Sequence, residues 1–445
     1  MQTDMQHGSP AKTILLFSLP VICGNLFQQF YNTMDAVILG KFEGEVALAA
    51  IGVANPIISV ATFILFGMCV GVSVLLAQLY GAGNIKTFQA QTATALWVGL
   101  GCSMVLLLLC FFGAAPFLRW THTPNEVLPA AVLYLRIVSV GLILIFLYHF
   151  YSSALRALGD SRTPFYFLVF SSILNIVLDF LFVGFFDWNV AGAAFATVIA
   201  QGMAAILCIL RVYRTMSPLA LRGRALLPVR SALHDTVSYS YSVAFQQSCI
   251  YLGRLAIQSI VNTFGTTTIA AFNAATRVEY LGYAPMDGMA TAAATFYAQN
   301  KGAQHPTRIR QGFRSCILIA LVYSVFLAAT LFFLPETIMS AFTKSHDAAV
   351  IQEGALYLRT MSVFYFLGAG MYTMQGFFRG MGRLLFSFLS SFSQILLRIL
   401  IAYLFAPQYG ILAICGATIA GWLWMFLLQG TLTLRYFIRT KTQIE

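Results

Sequence analysis

Charge is what this chain has least of. Only 9% of its 445 residues are Asp, Glu, Lys or Arg, against about 25% in soluble domains, and so small a share excludes a charged, water-facing globular surface. Cysteine is present but unorganised. Cys23, Cys69, Cys102, Cys110, Cys208, Cys249, Cys316 and Cys415 stand singly inside apolar runs, without CxxC or ligand spacing, so neither a disulfide framework nor a zinc site is expected. Four of the six histidines (His7, His122, His305 and His346) fall in tails or connections and none has ligand spacing, so no metal site is indicated by His or Cys. Strict apolar/polar alternation is missing too, and with it the signature of a barrel strand. The polar start Met1 to Pro10 leads into an apolar run that contains Pro20, Asn25, Gln28 and Asp35. That is not the form of a cleavable signal peptide, and the first span is expected to stay in the mature protein.

Apolar helix formers are abundant. Hydrophobic residues make up 59% of the chain, and runs such as Trp97 to Phe112 and Ile317 to Leu334 are long enough to cross a bilayer as helices. The pattern predicts an all-α polytopic membrane protein with twelve transmembrane helices, at roughly 14–39, 46–79, 89–116, 128–155, 164–186, 190–213, 234–262, 267–299, 309–334, 350–378, 384–406 and 410–437. An even number puts both termini on one side. Eighteen Lys and Arg fall in the tails and even-numbered connections, against Lys41, Arg119 and Lys344 opposite. The positive-inside rule then places both termini in the cytoplasm of a multi-pass inner (plasma) membrane protein. The net charge of +11 is accordingly a topology signal, and no nucleic-acid partner is expected.

The chain repeats at an offset of about 220 residues. Tyr134-Leu135-Arg136 answers to Tyr357-Leu358-Arg359, Arg156-Ala157-Leu158-Gly159 to Arg379-Gly380-Met381-Gly382, and Ala77-Gln78 with Gly81-Ala82 to Ala298-Gln299 with Gly302-Ala303. Six spans on each side of the join make two parallel six-helix repeats. The expected organisation is an N-lobe over 1–213, a basic cytoplasmic linker over 214–233 with Pro218 and Pro228, and a C-lobe over 234–445. Two such repeats suit alternating access around a central cleft, although a duplicated bundle can also be a passive scaffold.

Two carboxylates interrupt the apolar runs, Asp35 in the first span and Asp179 in the fifth. A carboxylate near the bilayer centre costs a few kcal/mol or more, so one that persists faces a cavity or binds a cation or proton. Aligning the halves pairs Asn175 with Gln394 and Asp179 with Arg398, and sets Asp35 near Gly253 or Ala256; the acid pair belongs to the first half alone. Asn175 and Asp179 are four apart and share a helix face, and the thin sixth span from Ala191 to Thr197 allows close packing and brings a hydroxyl. Asp35, Asn175, Asp179 and Thr197 would together offer hard oxygens to Na⁺, or a carboxylate to a proton. The plainer reading of Asn175 and Thr197 is an interhelical hydrogen bond. Pro20 is either a bend in the first span or a residue that shapes its start.

The residues Leu19-Pro20, Tyr31-Asn32-Thr33-Met34-Asp35 with Gly40, Leu174-Asn175-Ile176-Val177-Leu178-Asp179 and Gln299-Asn300-x-Gly302-Ala303, in this order on twelve spans, resemble the multidrug and toxic compound extrusion (MATE) family, in its DinF-like branch. The resemblance covers essentially the whole chain. It implies a V-shaped two-lobe bundle and a secondary antiporter that exports organic, cationic or amphiphilic compounds in exchange for Na⁺ or H⁺. It also implies an N-lobe cation site at Asp35, Asn175, Asp179 and Thr197, a bend at Pro20, small-molecule substrates, and no cofactor. The acids that NorM-type members carry in the seventh and tenth spans have no counterpart here, where Tyr251, Arg254 and Met371 to Gln375 stand.

Tyr31, Glu279 and Asp287 are candidate cleft residues. Glu279 and Asp287 of the eighth span have Arg277, Arg254 and Arg398 as alternative ion-pair partners. The alternative transport reading is a lipid-linked saccharide flippase of a related superfamily, which would want a strongly cationic cleft, whereas this chain places two acids in its first half; an intramembrane aspartyl hydrolase would want a second catalytic motif, which is absent. The bundle is expected to be complete as a monomer.

Overall fold

The structure is a computed structural model. It describes the backbone of residues 3–42, 44–216, 218–343 and 347–442, and within these the side chains outside 31–45 and 439–442. Among the described residues fourteen α-helices follow one another: α1 (Pro10–Phe42), α2 (Gly44–Gly81), α3 (Ile85–Trp120), α4 (Leu128–Ala157), α5 (Arg162–Asp179), α6 (Asn189–Thr215), α7 (Arg230–Val261), α8 (Thr266–Gly302), α9 (Pro306–Phe333), α10 (Pro335–Phe342), α11 (Ala348–Ser362), α12 (Tyr365–Gly380), α13 (Leu384–Tyr409) and α14 (Ile411–Thr442). Among the described residues there is no strand. Helices are what lipid permits, because they satisfy every backbone N–H and C=O internally.

Nine helices are long and apolar enough to cross a membrane among the described residues: α1 to α6, α9, α13 and α14. α7 and α8, of 32 and 37 residues, exceed the roughly 20 that a crossing needs but carry more polar side chains. The expected tenth span is two helices, α11 and α12, parted at Val363 and Phe364, and α10 is a short helix that the hydropathy pattern does not separate from its neighbours. Leu and Phe face outward at many positions, Phe112 being 70% and Phe326 67% exposed, while Ser, Thr and Gln residues such as Ser139, Thr92 and Gln429 are buried. That inversion suits lipid as the solvent: the chain is an integral multi-pass membrane protein.

The duplication recurs in the backbone. Gly159 and Gly382, the last residues of the repeated Arg-x-x-Gly segments, both take positive φ, 90° and 70°, as glycine does where a helix ends in a left-handed cap. After α2 the N–H of Asn84 donates to Leu79 C=O, and after α8 that of His305 donates to Asn300 C=O, the same closing bond in both halves.

Compactness divides the chain into two units, and the divisions fall inside helices. One unit comprises Met1–Asp4 and Cys23–Phe245, the other Met5–Ile22 and Gln246–Glu445. The boundary expected at 214–233 is thus not where the compact units part. The start of α1 packs with the second unit, and the start of α7 with the first. In the first unit Gln91 Nε2 donates to the Ala232 carbonyl (2.9 Å) and to Thr236 Oγ1 (2.6 Å). In the second, Asn300 Nδ2 and Arg308 Nε donate to the Met5 carbonyl at 2.9 and 3.1 Å.

Candidate functional site

The site in the first unit is built on α5 and α6. Asp160 starts α5, its carboxylate accepting from the Thr163 N–H (3.0 Å) and hydroxyl (2.6 Å). At its other end α5 stops at Asp179 and continues as a π-helical turn, Phe180–Phe185. Such wide turns are rare and recur at functional sites. The chain then reverses through Asp187 and Asn189, both at φ 52°, with Trp188 stacked on Phe182 at 4.9 Å between ring centroids. Gly192 lets α6 approach: a Cβ there would lie 3.1 Å from the carbonyl carbon and Cβ of Phe182. Buried Ala193, Ala194 and Ala196 keep that face thin.

The close approach has a chemical result. The Asn175 amide nitrogen donates to Asp179 Oδ2 at 2.9 Å, while its oxygen accepts from the Thr197 backbone N–H at 3.2 Å. Asn175 is 1% exposed and Asp179 fully buried. The structure therefore brings Asn175, Asp179 and Thr197 together, the last through its backbone. The Asp35 and Tyr31 side chains lie outside the described residues. Pro20 is inside α1, ten residues from its start, which rules out a role in the first two turns. The division between compact units follows two residues later, after Ile22.

The matched register in the second unit is polar but carries no acid. Gln246 Nε2 of α7 donates to Ser391 Oγ at 2.7 Å, as does Gln375 Nε2 of α12 at 3.2 Å, and Gln429 Nε2 of α14 donates to Ser390 Oγ at 2.7 Å. Gln394, the counterpart of Asn175, leans on Gly421, where a Cβ would lie 2.7 Å from its Nε2. Arg398 stands one turn further on.

The ion pairs expected for Glu279 and Arg254 are not formed. Glu279 Oε2 accepts from the Tyr357 hydroxyl at 2.9 Å and Oε1 from the Tyr365 hydroxyl at 3.1 Å. Arg254 bonds the Tyr280 hydroxyl and lies over its ring, 4.5 Å from the centroid. Two tyrosine donors satisfy a carboxylate without the cost of desolvating a guanidinium beside it. Asp287, on the same helix, is exposed, and eight residues along α8 put it about 12 Å from Glu279. Sequence reasoning missed Tyr357 and Tyr365, although Tyr357 belongs to the Tyr-Leu-Arg triplet repeated in both halves. Among the described residues no cluster of His, Cys, Asp and Glu could hold a metal ion.

The MatE family profile matches twice, over residues 20–181 and 243–404, once in each half. The chain belongs to the MatE family. It is similar to the probable multidrug resistance protein YpnP of Bacillus subtilis, with 28% identity over 86% of this chain and 85% of that one. The probable multidrug resistance protein NorM of Thermotoga maritima is 24% identical over 97% and 92%. A solved MOP superfamily transporter from Pyrococcus furiosus superposes with a TM-score of 0.88 at 23% identity, over 97% of both chains; at that identity the likeness concerns the fold. As a MATE family member the protein is a secondary active antiporter of organic compounds and not an enzyme, so the aspartyl hydrolase reading falls. The family needs no cofactor, and its substrates are small molecules.

Proposed function

We propose that this MATE transporter exports cationic or amphiphilic organic compounds across the plasma membrane by alternating access, as a monomer with both termini in the cytoplasm. The coupling ion is held in the N-terminal half by Asp35, Asn175, Asp179 and Thr197. The supporting observation is the buried Asp179 carboxylate hydrogen-bonded by Asn175, which is itself bonded to α6. Neutralising Asp179 therefore changes a bond within α5 to the side chain that reaches α6.

Either ion suits this site: a proton would sit on the Asp179 carboxylate, and Na⁺ would take oxygens from Asp179 and, with its amide turned, from Asn175. Relatives named as multidrug resistance proteins support the substrate class.

Efflux from proteoliposomes with a H⁺ or a Na⁺ gradient imposed alone tests the proposal. One of the two gradients, imposed alone, is expected to drive export, and which one does so identifies the coupling ion. Asp179→Asn should lower the rate by at least about tenfold, equivalent to about 1.4 kcal/mol, and Asn175→Ala by less. Unimpaired export by Asp179→Asn would overturn the assignment.

A further inference from the structure

α11 and α12 occupy one expected crossing yet are separate helices, and the break at Val363 and Phe364 contains neither proline nor glycine. One carboxylate spans it. Glu279 of α8 accepts from Tyr357 of α11 through Oε2 (2.9 Å) and from Tyr365, the first residue of α12, through Oε1 (3.1 Å). Both tyrosines are buried, 1% and 0% exposed, so the hydroxyls have no water to turn to. No described hydrogen bond joins Arg398 to Glu279, although its charge is within range.

Charge decides whether this arrangement holds. An ionised carboxylate is an acceptor at both oxygens, whereas a protonated one carries an O–H donor on one of them. Proton uptake therefore reverses or breaks one of the two bonds and leaves a buried tyrosine hydroxyl hydrogen to find another acceptor, which is costly where none is near. The other titratable groups facing Glu279 are Tyr283 on α8 itself, Tyr372 of α12, Arg398 of α13 and Cys415 of α14. Titratable groups elsewhere on α9, α10 and α11 have partners of their own. The Tyr323 hydroxyl of α9 donates to the Gly282 carbonyl (3.0 Å), Glu336 of α10 pairs with Arg359 (2.9 Å), and Glu353 of α11 accepts from Thr268 (2.7 Å).

We infer that Glu279 is a second proton-binding site, in the C-terminal half, whose ionised form fastens α11 to α12 across their break and whose protonated form releases one of them. The inference deepens the antiport reading, on which its use in transport rests; the bonds themselves do not depend on which ion Asp179 carries. It places proton-sensitive geometry in the half that lacks the Asp35 and Asp179 pair.

The test uses the full chain in lipid nanodiscs. Infrared difference spectra between about pH 8 and about pH 5 report a protonated carboxyl group, and spin labels at Leu356 of α11 and Phe366 of α12, 45% and 46% exposed, report the distance across the break. The unsubstituted side chains at Glu279, Tyr357 and Tyr365 are expected to give a carboxyl band and a changed distance on acidification. Glu279→Gln should remove the distance change and the part of the carboxyl band that Glu279 contributes beside those of Asp35 and Asp179. Tyr365→Phe should keep the band and abolish the distance change, because the carboxyl group stays and its bond to α12 is gone. A distance that ignores pH in the parent, or responds as in the parent in Glu279→Gln, overturns the inference. Should Glu279→Gln not fold, Tyr365→Phe decides, and a parent-like distance response there also overturns it. Neither readout requires transport: absent efflux in proteoliposomes would remove the antiport reading while leaving these spectra to judge Glu279.

Discussion

Asn175 is the residue on which the first-unit site turns. It meets a carboxylate with one end of its amide and the backbone of α6 with the other, so its position depends on how closely α5 and α6 pack, and that depends on Gly192. Replacing a helical glycine gains up to about 1 kcal/mol of propensity, but overpacking costs about 1–3 kcal/mol. Since the neighbour is the backbone of the π-turn at Phe182, the cost should win. Gly192→Leu is expected to lower the thermal unfolding midpoint of the purified protein and to reduce efflux, both measured against Gly192→Ala; an unchanged midpoint would contradict the packing account. Much of this site is legible in sequence, because a spacing of four fixes a shared helix face and the small residues of α6 announce close approach. The tyrosines of Glu279 are not legible in that way. They lie 78 and 86 residues away along the chain, and an isolated tyrosine in an apolar run reads as bulk until a fold brings its hydroxyl to an acid.

Among elements, α1 is the instructive one. A proline deep inside a helix removes a hydrogen bond and costs about 3 kcal/mol, yet α1 runs through Pro20 from Pro10 to Phe42. Pro20→Ala is therefore expected to raise the unfolding midpoint and, if the weakened turn is used for bending, to slow efflux. Stabilisation with full efflux would leave Pro20 a structural residue only. Hydropathy and breaker residues locate most helices, α1 to α6 among them, to within a few positions. They do not signal the break between α11 and α12 or the π-turn after Asp179, since neither contains a proline.

At the scale of the whole molecule, the duplication was readable because short segments such as Arg-x-x-Gly recur and take the same left-handed glycine conformation in both halves. Sidedness rests on the distribution of basic residues. In a background without cysteine, a single cysteine at position 122, between α3 and α4, should react with a membrane-impermeant maleimide in intact cells, while one at position 222, between α6 and α7, should react only after the membrane is opened. The reverse pattern would invert the topology. The compact units were not readable, because helices α1 and α7 are uniform in composition across the points where they change partners. That exchange limits modularity. Each half of the sequence lends the other an end of its first helix, so the product of either half alone would be short of a segment that its own repeat does not supply. A half-length ancestor with the same packing could complete itself only by trading helix ends with a second copy, and fusing the two copies into one chain would have made that trade permanent.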